Sequence, residues 1–180
     1  NVDNTWSLTG KNRGTLNGTI EIESSGMLNG GNKRDEFVIQ YASISGSIDS
    51  GDGDDVFSIQ NSTIGGAINS GDGNDIFTIQ ASAIAGKIRA GNGNNRFTFT
   101  IIPGAEGTAT IEGGDGDNRL TIEGGDASYK AIHQIGHQEY SDANNNTYSI
   151  LYSKVSNIFD NVVANSLSIF GTSSADTFRL

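Results

Sequence analysis

The feature that most constrains this chain is a fixed period. The loops Gly31-Asn-Lys-Arg-Asp35, Gly51-Asp-Gly-Asp-Asp55, Gly71-Asp-Gly-Asn-Asp75 and Gly91-Asn-Gly-Asn-Asn95 start 20 residues apart. Each is followed by an aromatic and a second apolar residue two positions on: Phe37/Ile39, Phe57/Ile59, Phe77/Ile79 and Phe97/Phe99. Constant spacing with constant content means that each unit packs on the one before it, which is the pattern of a solenoid. Stacking brings phenylalanine onto phenylalanine in the core and carboxylate onto carboxylate at the loops.

Within one unit, Val56 to Gln60 alternates, with Phe57 and Ile59 on one face and Ser58 on the other. After a turn at Asn61-Ser62, Ile64, Gly66, Ile68 and Ser70 alternate with Gly65, Ala67 and Asn69. Both runs have the period of two that marks strands. No 3.6-residue apolar period runs through the repeats, and glycine, asparagine and β-branched residues dominate them. The expectation is an all-β fold: a right-handed parallel β-solenoid with about 20 residues per coil and two main parallel sheets. Each rung supplies two strands and two turns, and the small residues Gly46, Gly66 and Gly86 leave room for the sheets to close on each other. Gln40, Gln60 and Gln80 align as a side-chain amide ladder.

The whole chain, 1–180, reads as one solenoid fragment of a larger protein. Residues 1–30 form initial rungs or a cap, with Trp6, Leu8 and Leu16 packing near the first regular rung. Residues 31–123 are the regular repeats, interrupted by the extra residues from Ile101 to Thr110 and resuming at Gly114-Asp-Gly-Asp-Asn118. Residues 124–180 are irregular rungs with longer loops, including a hairpin around Tyr140 to Tyr148. They lead into a further repeat at Asp176-Thr-Phe178.

Composition narrows the function. The chain carries 21 acidic and 11 basic residues, a formal net charge of −10. That excess argues against nucleic acid and anionic membrane surfaces as partners and suits cation binding. No apolar run reaches the ~18 residues of a membrane helix, so no membrane insertion is expected. Cysteine is absent, which rules out a disulfide framework and leaves secretion open.

Stacking places Asp35, Asp55 and Asp75 in one column and Asp52 and Asp72 in another. Carboxylates ~5 Å apart disfavour each other's ionisation. The loops splay apart, the aspartates share protons, or a cation lies between them. Among cations calcium fits best, because it accepts carboxylate and backbone carbonyl oxygens in flexible geometry. With no cysteine and only His133 and His137, a soft-metal site is not expected. A metal-free column of Asx turns is the alternative, since Asn92, Asn94 and Asn95 occupy the same loop positions with neutral side chains. Neither the histidines nor Glu106, Glu139, Asp142 and Lys154 form a catalytic constellation, and no catalysis is expected.

Ser50-Gly-Asp-Gly-Asp-Asp-Val-Phe-Ser58 and Ser70-Gly-Asp-Gly-Asn-Asp-Ile-Phe-Thr78 resemble the nonapeptide of the RTX (repeat-in-toxin) family, G-G-x-G-x-D-x-U-x. The resemblance implies calcium shared between equivalent loops one coil apart. It would be held by Asp55 and Asp75 at the sixth position, by Asp35 in a weaker loop, and by the turns at Gly51, Gly53, Gly71 and Gly73. The chain departs from the pattern at position one, which is serine or alanine in three loops. It departs again at position six, which is asparagine at 95 and 118, so the calcium series should weaken at Asn95 and lie along one edge. The segments Asn4-Thr-Trp-Ser-Leu-Thr-Gly10, Gly14-Thr-Leu-Asn-Gly18 and Ser166 to Phe178 are similar to repeats of giant secreted bacterial adhesins and haemagglutinin-like proteins. This second resemblance implies an extracellular or cell-surface location and a stalk or passenger role. The partners it implies are adjoining repeats of the same protein, with host-cell or matrix ligands reached through other regions. A repeat segment of an RTX-type toxin and a β-helical carbohydrate-active enzyme are the alternative readings.

Overall fold

The computed structural model describes residues 3–18, 20–23, 26–126, 129–134, 136–164 and 166–170. The expected further repeat at Asp176-Thr-Phe178 lies outside the described residues.

Every described element is a strand or a turn. One nine-stranded sheet carries the aromatic face of each coil. Its parallel members include Glu36–Gln40, Val56–Gln60, Ile76–Gln80, Arg96–Ile101, Arg119–Gly125 and Asn157–Val163. Register is strict across the regular coils: Phe37 pairs with Phe57, Phe57 with Phe77 and Phe77 with Phe97. The 20-residue period is therefore the length of one coil. A second nine-stranded sheet runs through Leu28–Asn29, Ile48–Asp49, Ile68–Asn69, Lys87–Arg89 and Gly107–Glu112. The architecture is a parallel β-solenoid.

The three coils spanning residues 31–90 each contribute three strands where two were expected. The second alternating run is broken into Thr63–Ile64 and Ile68–Asn69. The first of these joins Ser43–Ile44 and Ala83–Ile84 in a separate three-stranded sheet. The break falls at Gly65-Gly66. The expected reason for the small residues also changes. A Cβ on Gly66 would lie 2.7 Å from the Gly46 carbonyl, and one on Gly86 would lie 2.6 Å from the Gly66 carbonyl carbon. Glycine is required there by the neighbouring coil, not by a facing sheet.

Inward residues from all three sheets meet in one core. Phe37, Phe57, Phe77 and Phe97 are buried and stack with ring centroids 5.0, 4.6 and 5.0 Å apart, and Trp6 continues the column 5.9 Å from Phe37. Ile44, Ile64 and Ile84 line the second wall, and Ile48, Ile68 and Ile88 the third. In-register stacking of identical side chains lets every coil bury the same surface against its neighbour. The amide ladder forms between Gln60 and Gln80, with Nε2 donating to Oε1 at 3.0 Å.

The ends use antiparallel pairing. Thr5–Gly10 pairs in parallel with Glu36–Gln40 and antiparallel with Arg13–Leu16, which pairs in turn with Ile20–Glu23. Beyond the regular coils, Lys130–Gln134, His137–Ser141 and Thr147–Ser153 form an antiparallel excursion within the second sheet. The hairpin expected around Tyr140 to Tyr148 is the latter half of this excursion. Asp142 closes its turn, accepting from the N–H groups of Asn144 and Asn146 at 2.8 and 3.0 Å and from Gly104 N–H at 3.1 Å. Tyr140 and Tyr148 are buried, and the Tyr148 hydroxyl donates to the Ser82 carbonyl at 2.6 Å.

Candidate functional site

The loop edge is built from two opposed ladders. The outer one is exposed. Asn74 N–H donates to Asp54 Oδ1 at 2.7 Å, Asn92 N–H to Asp72 Oδ1 at 3.0 Å and Asn94 N–H to Asn74 Oδ1 at 2.9 Å, each reaching back to the preceding coil. Asp52, Asp54 and Asp72 are solvated tips. Hydrogen bonding holds Asp72 below the usual carboxylate range, chiefly through the Asn92 N–H.

The inner ladder runs the other way and is fully buried. Asn4 N–H donates to Asp35 Oδ1 at 2.7 Å, Asp35 N–H to Asp55 Oδ1 at 2.7 Å and Asp55 N–H to Asp75 Oδ1 at 2.9 Å. Asp75 N–H then donates to Asn95 Oδ1 at 2.9 Å, and Asn95 N–H to Asn118 Oδ1 at 3.1 Å. The three candidate aspartates thus share one column with Asn95 and Asn118, as their spacing requires. They do not face solvent at the loop tips. All five side chains turn inward and are inaccessible.

Gly51, Gly53, Gly71 and Gly73 sit in the same loops, all with positive φ. At Gly73 a Cβ would fall 2.0 Å from the Gly53 carbonyl oxygen, so the close approach of coils excludes any side chain.

The two asparagine coils reveal what this slot demands. Asn95 Nδ2 donates toward the carbonyls of Gly113 at 3.2 Å, Gly93 at 3.4 Å and Gly91 at 3.5 Å, and to Asn118 Oδ1 at 3.0 Å. Asn118 Nδ2 faces the carbonyls of Gly114, Gly116 and Lys154 at 3.1, 3.4 and 3.1 Å. The slot therefore wants an acceptor at one end and a donor, or positive charge, at the other. An aspartate offers a second oxygen instead. Asp35 Oδ2 and Asp55 Oδ2 are buried without a hydrogen-bond partner. Asp75 Oδ2 receives the Ser70 hydroxyl at 2.5 Å.

The electrostatic consequence follows from burial. Asp55 is pushed up to about 6, mainly by desolvation, with the nearby Ser50 hydroxyl and the Asp35 N–H opposing. Asp75 is pushed up to about 7, again mainly by desolvation, against the Ser70 hydroxyl and the Asp55 N–H. The charges of neighbouring aspartates add smaller upward contributions.

Serine at the first loop position was read from the sequence only as a departure from a motif. At Ser70 it is a local donor for Asp75, five residues later, whereas the Ser50 hydroxyl donates to the Ser70 carbonyl at 3.2 Å. The donor role of Asn95 could not be read from sequence, because it depends on which way the side chain turns.

The donor set suits a hard cation. Its atoms are carboxylate oxygens lacking partners and loop carbonyls of the kind that surround Asn95 Nδ2. Among the described residues, no three or more His, Cys, Asp or Glu side chains gather to hold a metal. A cation at the Asp35/Asp55/Asp75 column would then take most of its ligands from the backbone turns at Gly51, Gly53, Gly71 and Gly73. No protein-family model, curated protein or solved structure matches this chain. The fold and the loop chemistry rest on the chain's own geometry.

Proposed function

We propose that this chain is a structural stalk or passenger segment of a large secreted or surface-attached bacterial adhesin, stabilised by calcium and without catalysis of its own. The observation that carries the reading is the unbroken inner ladder, in which each coil's Asx side chain caps the backbone of the coil before it. Such a ladder joins coils end to end, which suits a load-bearing spacer.

Calcium supplies positive charge to buried oxygens that otherwise lack a donor. Asp35, Asp55 and Asp75 would hold it together with loop carbonyls, as in the RTX-type repeats that these loops resemble. Outside the cell, calcium concentrations would keep the coils locked, and adjoining repeats would stack on both ends. Binding to the folded form alone stabilises it by RT ln(1 + [L]/Kd).

Calorimetric melting and limited proteolysis, each in millimolar calcium and in chelator, test this reading. The expected result is a higher melting temperature and slower cleavage with calcium. Identical melting in both conditions, with cleavage inside the regular coils, would overturn the calcium-stabilised stalk.

A further inference from the structure

The outward face of the aromatic sheet changes character along the stack. One column of register partners reads Glu36, Val56, Ile76, Arg96, Arg119 and Asn157. Arg96 and Arg119 stand directly opposite each other on adjacent strands, and both are exposed. Like charges so placed repel. Neither makes an ion pair among the described residues, although acidic residues outnumber basic ones in the chain by 21 to 11.

Arg119 is held in place. Its guanidinium carbon lies 3.9 Å above the ring of Phe159, a cation–π contact that fixes the group without neutralising it. Both arginines line an open cleft of about 590 Å³ with Asn74, Ile76, Asn94, Asp117 and Asn157. That volume lies in the range of small-ligand sites. The Asn94 side chain is oriented by the Asp117 N–H, which donates to Asn94 Oδ1 at 2.9 Å, so Nδ2 is directed elsewhere. Ile76 is 41% exposed and gives the floor an apolar patch.

These features together describe a ligand. Two guanidinium groups lining one cleft suit a planar carboxylate, which accepts parallel N–H bonds. The Asn94 and Asn157 amides beside them match hydroxyl groups, and an exposed isoleucine matches the C–H face of a sugar ring. Asp117 on the same wall disfavours densely charged polyanions.

We propose that the Arg96–Arg119 cleft binds the carboxylate of an acidic sugar, such as a uronic acid within a polysaccharide. This gives the segment a glycan contact of its own, bordered by the outer loop ladder at Asn74 and Asn94 but separate from the buried inner ladder of aspartates.

Titration calorimetry of the whole chain with a trigalacturonate probe tests the proposal. Its fully methyl-esterified form and a sulfated trisaccharide serve as comparison ligands. The acid form should bind, and the ester and the sulfated sugar should bind at least about tenfold more weakly. Arg96→Ala and Arg119→Ala should each weaken binding about ten- to a hundredfold, as expected for a lost charge-assisted hydrogen bond. Both side chains are exposed, so the variants should melt with the parent protein, and matching melts confirm that the loss is local. Phe159→Leu should weaken binding less than either arginine change. The proposal would be overturned by equal binding of acid and ester, by equal binding of the acid by the Arg96→Ala/Arg119→Ala double variant, or by no uptake of the acid form at millimolar concentration. Equal or tighter binding of the sulfated sugar would reduce the cleft to a non-selective basic patch and would also overturn it.

Discussion

The coils of Asp35, Asp55 and Asp75 and those of Asn95 and Asn118 share the aromatic-sheet register and the same inward ladder, yet have opposite chemistry at one atom. In the asparagine coils that atom is Nδ2, which donates to carbonyls and closes the site by itself. In the aspartate coils it is an oxygen that needs a proton, a hydroxyl or a cation. Ser70 meets the need at Asp75, whereas residue 30 is a glycine, and no hydroxyl is supplied to Asp35 from that position. The difference teaches that the stack can be locked in two ways, one internal and permanent, the other conditional on solution composition.

Phe57 and Phe97 occupy the same column, one in an aspartate coil and one in an asparagine coil. Phe57→Ala in an aspartate coil and Phe97→Ala in an asparagine coil should each cost ~3–5 kcal/mol, because both rings are buried between stacked neighbours. Chemical denaturation in calcium measures both. A loss below about 1 kcal/mol for either would show that its ring is not packed as the stack implies. Unequal losses would mean that the two sets of coils differ in more than their loops.

Asn95→Asp should be the most severe change confined to the ladder. It places a second oxygen against the carbonyls of Gly91, Gly93 and Gly113 and against Asn118 Oδ1. In chelator above neutral pH the expected cost is about 3 kcal/mol, the scale of an uncompensated buried charge. Calcium should restore part of it. Full stability in chelator would mean that the slot does not demand a donor.

For the parent chain, calcium at a hundredfold excess over Kd should add about 2.7 kcal/mol per site bound only by the folded state. Differential scanning calorimetry with and without chelator reads this as a shift in melting temperature. Without a shift, the aspartate coils are closed by protons and serine hydroxyls alone.

Protons should compete with calcium, and the sign follows from the raised values. Asp55 near 6 and Asp75 near 7 bind protons in the folded state at pH values where the unfolded chain, near 3.8, has released them. Their contribution is fully present below about pH 4 and is lost as pH rises through about 6 to 7, so calcium-free stability should fall across that window. Asp72 and Asp142 are held low by hydrogen bonds, led by the Asn92 N–H and the Asn146 side chain, and act oppositely in more acid solution. Melting temperature followed from pH 5 to pH 8 in chelator checks the sign, and a flat or rising profile would contradict it.

Much of this was legible in the sequence, for definite physical reasons. The coil length, the phenylalanine column and the alignment of Asp35, Asp55 and Asp75 follow from spacing alone, because parallel in-register stacking leaves no freedom in which residues meet. The third sheet was missed because Ile64 and Ile68 keep one alternation across Gly65-Gly66, where the chain bends between sheets. The inward turn of the aspartates was missed for a related reason. Spacing fixes which aspartates meet but not which way each side chain turns, and only the structure places Oδ1 on the N–H of the preceding coil. The excursion from Lys130–Gln134 to Thr147–Ser153 has no period to read, so only its hairpin was visible.

The smallest expected effect discriminates most sharply. Asp75→Asn converts an aspartate coil into an asparagine coil at the position adjoining Asn95. Oδ1 remains to accept the Asp55 N–H, and the new Nδ2 takes the place of the oxygen now bonded to Ser70. In chelator at pH 8 the variant should match or exceed the parent, by up to about 1 kcal/mol, the net contribution of one ordinary hydrogen bond. In calcium the order should reverse, because the variant gives up a carboxylate ligand while the parent gains its cation. Its melting temperature should also depend less on pH, since the group pushed up to about 7 is gone. A crossover between the two conditions would establish that the same slot is closed by an amide in one coil and by calcium in the next. A variant less stable than the parent in both conditions would mean that the carboxylate at 75 is held by Ser70 and the ladder for its own geometry, and that the two kinds of coil are not interchangeable.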